Sequence, residues 1–140
     1  MCGKGKLAVL TFVLAQALPT GAQVTDEQIE ALYAKPTPPL WMASERWIAQ
    51  SENAVAVRDI NPQAPAHFLV LPRKKIATLL QASPELLAEM LVLARRVAEE
   101  QGIAREGFRI VINTHPQGGQ SVYHLHMHVL GGRQMRWPPG

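Results

Sequence analysis

Cysteine is nearly absent. Cys2 is the single example in 140 residues, so no disulfide can form within the chain and the redox compartment stays open. A strong charge of one sign is missing too. Fourteen Lys and Arg against eleven Asp and Glu leave a net charge of +3. That mildly favours anionic ligands, but the basic residues are dispersed, so nucleic acid is not expected as a partner. No apolar run is long enough to span a bilayer, and no membrane partner is expected. There is no internal repeat or low-complexity tract. What remains has the size of one domain, long enough to remove roughly two-thirds of its unfolded surface from water on folding.

Three stretches differ in character. In residues 1–23, Lys4 and Lys6 precede an apolar run from Leu7 to Leu18, and Pro19, Thr20, Gly21 and Ala22 follow. That order reads either as a secretory signal, cleaved near Ala17 or Ala22, or as an extra element packed on the domain. Residues 24–53 carry a weak pattern, with a helix expected over Asp26–Ala34, a proline cluster from Pro36 to Pro39 that cannot continue it, and Trp41 and Trp47 among polar residues. From Ala54 to Gly140 the pattern is clear and reads as the functional domain.

Within that domain Ala54–Ile60 and His67–Leu71 read as neighbouring strands around a proline-bounded turn. Ser83 as cap, Pro84 at the first position and Gly102 beyond the end bound a long helix over Pro84–Gln101. Leu87, Met90, Leu91, Ala94, Val97 and Ala98 are its expected buried stripe. Phe108–Asn113 and Val122–Leu130 alternate as strands, separated by a turn rich in glycine and glutamine. The expected class is α+β, a mainly antiparallel sheet with one long helix.

Chemistry concentrates in His124-Leu125-His126-Met127-His128. A strand period of two sends all three imidazoles to one face, where mutual protonation would be costly and packing would gain nothing. One use is a metal site. The outer histidines lie roughly 13 Å apart along a strand, so one ion would take two of the three and look elsewhere, to His67 or His115, for another ligand. No Cys, Asp or Glu neighbours the run in sequence to complete a familiar zinc pattern. The other use is phosphoryl chemistry, in which the middle imidazole attacks phosphorus and its neighbours bond phosphate oxygens. Gly118-Gly119-Gln120-Ser121 just upstream offers backbone N–H groups and a hydroxyl to an anion.

These residues resemble the histidine triad superfamily. The run Gly118 to Met135, ending Trp137-Pro138-Pro139-Gly140, is similar to its Hint branch, as are Asp59 to Pro65 and His67 to Pro72. The resemblance implies a homodimeric purine nucleoside phosphoramidase of HIT-like fold. It would hydrolyse adenosine or guanosine 5′-phosphoramidates through a nucleotidyl-histidine, with no cofactor and no metal. Carried over by position, His126 is the nucleophile, His128 and Ser121 bind the α-phosphate, and His124 and His67 orient His126. Asn113 and the backbone of Gly119 and Gln120 seat the nucleotide, and Asp59 with Ile60 meets the ribose. Trp137 would lie by the partner subunit's site. His115 and Cys2 are given no role. The chain departs from the branch in its amino-terminal region, at Lys75 where a histidine is usual, and at Val57 where an aromatic often stands. A nucleotide-binding scaffold with little turnover and a histidine-based metal-binding protein are the competing readings. Nucleotide substrates and unpaired cysteine favour the cytoplasm, and the signal-like run favours export; the cytoplasm is the expectation adopted.

Overall fold

The computed structural model describes residues 23–140; the signal-like segment 1–22 and Cys2 lie outside the described residues. Five strands form one antiparallel sheet: β1 (Trp47–Gln50), β2 (Ala54–Arg58), β3 (Ala66–Pro72), β4 (Phe108–Val111) and β5 (Met127–Gly131). Their spatial order is β1-β2-β3-β5-β4. Helices α1 (Asp26–Tyr33) and α2 (Pro39–Met42) precede the sheet, and α3 (Pro84–Glu100) connects β3 to β4. The α+β class expected from sequence is the one found, and β1, which lies upstream of Ala54, belongs to the same sheet.

Local chemistry sets the helix limits. Thr25 and Gln28 form a reciprocal capping box at the start of α1. At α3 the Ser83 hydroxyl accepts from the Leu86 N–H, and Pro84 occupies the first turn, where a missing N–H costs nothing. Met90, Leu93, Ala94, Val97 and Ala98 are buried, so the expected stripe needs one correction. Leu91 is 46% exposed and Leu93 only 2%. From Met90 the steps of three, four, seven and eight reach Leu93, Ala94, Val97 and Ala98, whereas Leu91 is rotated about 100° away.

Each sheet face has its own apolar cluster. Ala54, Ala56, Phe68, Val70, Leu125, Met127 and Val129 pack under α3. On the other face Val55, Val57, Leu69 and Leu71 are covered by Trp41, Met42 and Trp47. That second face also carries the histidines, because His128 pairs with Leu69 in the β3–β5 ladder.

The last expected strand is shorter than Val122–Leu130. Ladder pairing starts at Met127, opposite Val70. Two residues on, β3 ends at Pro72, which has no N–H to offer, and its carbonyl is taken by the His124 ring at 2.7 Å. Leu125 turns its N–H to the Ile76 carbonyl instead. The side chains still alternate, with Leu125 in the core and its histidine neighbours on the far side.

Candidate active site

His67, His124 and His126 are buried and His128 is partly so. Fixed backbone partners determine where each ring carries its proton. The His124 Nε2 lies 2.7 Å from the Pro72 carbonyl, an acceptor, so this nitrogen bears the hydrogen. Its Nδ1 must then accept, and it does so from the Thr37 hydroxyl at 2.7 Å. The His126 Nδ1 lies 2.7 Å from the His124 carbonyl and is protonated by the same reasoning. The His126 Nε2 therefore keeps a free lone pair.

A second chain begins at the turn between β2 and β3. The Gln63 N–H donates to the His67 Nδ1 at 3.0 Å, so the His67 Nε2 carries the proton and donates to the His128 Nδ1 at 2.9 Å. This leaves N–H on the His128 Nε2. The His126 and His128 rings stand edge to face with centroids 4.9 Å apart. Thus a lone pair and an N–H are presented side by side, each set by main-chain atoms.

Burial shapes the electrostatics. It holds the His126 pKa down to about 4, and the partial positive charges of His128 and His124 work the same way. Burial also lowers His67, His124 and His128, opposed by the Asp59 carboxylate at His67 and His128. Asp59 Oδ2 is 3.4 Å from the His67 Nε2 and 3.9 Å from the His128 Nδ1. A proton added to this pair thus meets a counter-charge, whereas His126 stays neutral.

The remaining expected site residues are distributed around this centre. Asn113 lies two residues beyond the end of β4, where Val111 pairs with His128, and its neighbour Ile112 packs on the core side. Asp59 Oδ1 accepts from the Asn61 N–H at 2.8 Å, so a ribose would have to share the other oxygen with the histidines. Ile60 is 70% exposed beside it. In the glycine turn the expectation for Gly119 and Gln120 needs amending. Their N–H groups close the turn itself, on the carbonyls of Pro116 and His115. The Gln120 side chain is buried and ties the turn to Ala77, Val122 and His115. Gly118 is required there, since a Cβ would fall 2.3 Å from the Thr114 oxygen. Exposed Ser121 is left as the hydroxyl donor of this loop.

A metal reading also has a geometric basis, different from the one read in the sequence. Asp59, His67 and His128 bring one ligand atom each within 4.8 Å of one another. Their separations of 2.9, 3.4 and 3.9 Å bracket the edge of about 3.3 Å in a tetrahedron of zinc–nitrogen bonds. The fold thus supplies the carboxylate that the sequence neighbourhood of the triad lacks, and uses only one triad histidine. His115 is elsewhere, hydrogen-bonded to the Tyr33 hydroxyl at 2.7 Å.

Three contributors escape a reading of sequence spacing. Thr37 is 87 positions from the ring it bonds, Gln63 acts through its main chain alone, and Trp41 stands edge-on to His126 with centroids 4.7 Å apart. The prolines flanking Thr37 were the only local cue, marking a stiff extended segment.

Comparison with known proteins gives this geometry a family. Residues 42–135 match the HIT domain. An uncharacterized HIT-like protein of Synechococcus elongatus is 49% identical over 96 residues, 66% of this chain and 83% of that one. The adenylylsulfatase HINT1 of Arabidopsis thaliana is 47% identical over 98 residues, 66% of each chain. The crystal structure of a HIT family hydrolase from Legionella pneumophila aligns with a TM-score of 0.65 and 47% identity, over 68% of this chain and 88% of the other. With a matched domain over most of its length and the buried histidine run at its centre, this chain belongs to the HIT domain family, in the Hint branch.

Proposed function

We propose that this protein is a hydrolase that cleaves purine nucleoside 5′-phosphoramidates, conjugates of AMP or GMP with an amine, through a nucleotidyl-histidine intermediate. The observation that carries this reading is the neutral His126, whose Nδ1–H is held by the His124 carbonyl so that Nε2 keeps the lone pair of a nucleophile. The His126 Nε2 attacks the α-phosphorus and the P–N bond breaks. Its electron pair leaves on the amine nitrogen, which takes a proton from the Nε2 of His128 in its protonated form. Asp59 balances the charge of that form. Water then attacks phosphorus and returns a proton to the His128 Nε2, and the bond to His126 breaks. Ser121 and His128 bind the phosphate, Asn113 seats the nucleotide, and Asp59 with Ile60 meets the ribose. Every proton and electron pair is thus supplied by the chain and its substrate, so no cofactor or metal is required. The active unit is a homodimer located in the cytoplasm.

A second substrate is favoured by the relative from Arabidopsis thaliana, named as an adenylylsulfatase. Attack at the same phosphorus would there expel sulfate, which leaves without a proton. Hydrolysis of a fluorescent adenosine phosphoramidate and of adenylyl sulfate, with intact-mass detection after acid quench, tests both. A nucleotidyl adduct in wild type and its loss with turnover in His126→Ala are expected. Wild-type turnover retained by His126→Ala would overturn the assignment, and no turnover of either substrate by wild type would favour the nucleotide-binding scaffold.

A further inference from the structure

Residues Thr25 to Trp41 precede the segment that matches the HIT domain, yet they close over its histidines. Helix α1 buries no residue completely, so polar contacts to the loops around the site hold this end of the strap, while Trp41 at its far end packs on the second apolar cluster of the sheet. Lys75, just beyond β3, donates to the carbonyls of Tyr33 and Lys35. The Tyr33 hydroxyl accepts from the Gln81 amide at 3.0 Å and shares a hydrogen bond with the His115 Nε2. Between these anchors, prolines at 36, 38 and 39 stiffen the chain and leave Thr37 facing the His124 ring.

From this arrangement we infer that Thr37 is a positioning residue for the reaction proposed above, and that Lys75 latches the strap that presents it. The His124 ring is 1% exposed, so no solvent reaches its Nδ1, and Thr37 supplies the donor that this lone pair needs. With Nδ1 satisfied and Nε2–H on Pro72, the ring has one tautomer and one orientation. The same residue's carbonyl fixes the proton of the His126 Nδ1. The line therefore runs from the Thr37 hydroxyl to the His124 ring, to the His124 carbonyl, to the His126 Nδ1–H and so to the lone pair on Nε2. Loss of its first member loosens the aim of the nucleophile without removing any group that touches substrate. Trp41, at the end of the same strap, stands beside His126, so release of the strap also uncovers that ring.

This inference rests on the hydrolase reading for its kinetic arm but not for its spectroscopic one. Thr37→Val keeps the shape and removes the hydroxyl, and Thr37→Ser restores it. For Thr37→Val, kcat on adenosine phosphoramidate is expected to fall on the order of tenfold, the scale of a small misalignment, with KM nearly unchanged. Thr37→Ser is expected to recover most of that loss. Nitrogen-15 spectra of His124 should show its Nδ1 losing the hydrogen-bonded signal in the valine variant alone. Lys75→Met should raise hydrogen exchange across 25–41 and lower kcat in the same direction. A kcat within twofold of wild type in Thr37→Val, or an unchanged Nδ1 signal, overturns the proposal. If wild type turns over no phosphoramidate, the hydrolase reading fails by itself, and the Nδ1 signal and the exchange of 25–41 still decide whether Thr37 and Lys75 act as stated.

Discussion

At the level of single residues, His126 and His128 differ in what the reaction asks of them. His126 must be neutral, and a pKa near 4 keeps it so down to mildly acidic solution. His128 must carry a proton only where the leaving group needs one. The pH profile with phosphoramidate is therefore expected to be bell-shaped, its acid limb set by His126 and its alkaline limb by His128 with phosphate bound. With adenylyl sulfate the alkaline limb should vanish. His128→Gln, which can still donate to phosphate but cannot give up a proton, should cost far more with the amine than with the sulfate. Equal losses on both substrates would contradict the assigned proton donor. Stability follows the same groups. Because the folded pKa of His126 lies below its ordinary 6.5, the unfolded chain binds the extra proton first. Stability is then full above pH 6.5 and falls as pH drops toward 4, by roughly 3 kcal/mol for this residue. Urea titrations at pH 7 and pH 5 check the sign. The buried Tyr123 hydroxyl has no partner among the described residues, so Tyr123→Phe is expected to be neutral or to raise the melting temperature.

The elements show why some of this was readable in advance. The limits of α3 were legible because Ser83, Pro84 and Gly102 are local signals, and the histidine face was legible because alternation survives even where the ladder does not. The exchange of Leu91 for Leu93 in the buried stripe was not, since both are leucines within one turn and only the sheet decides which faces inward. Leu93→Ala should accordingly cost about 2 to 5 kcal/mol by leaving a cavity. Leu91→Ala should cost less than about 0.5 kcal/mol in a monomer. A larger, concentration-dependent loss at Leu91 would place that face in a subunit contact. The strand from Val122 was over-read because Pro72 is on another strand, and the partnerless end of a ladder leaves no mark on its neighbour's sequence. Asp59 belongs with the histidines for the same kind of reason. Sequence placed it near the end of an expected strand, and the antiparallel pairing of β2 with β3 brought it beside His67.

For the molecule as a whole, β4 pairs among the described residues only with β5, and none of them pairs with its other edge. A groove of about 570 Å³ runs beside it, lined by Phe108, Arg109 and the tail from Gly132 to Met135. Trp137, just beyond, is 82% exposed. A symmetric dimer that uses this edge and the long helix is the expected solution state, and sedimentation at micromolar concentration should give twice the mass of the chain. A monomer there would contradict it. Turnover is expected to persist in chelator, while added zinc should inhibit, since an ion on Asp59, His67 and His128 would break the bond that orders His128. Loss of activity in chelator, restored by zinc, would sink the metal-free mechanism. The mature amino terminus, read by mass spectrometry from cell fractions, decides between cytoplasm and export. Such a site withstands genetic drift through its main chain. Three of the contacts that set the ring protons come from the main chain of Gln63, Pro72 and His124. Any replacement at Gln63 other than proline leaves its N–H in place, so the bond to His67 does not depend on which side chain that residue carries. Selection can then alter the turn's surface, and whatever it meets, without renegotiating the chemistry behind it.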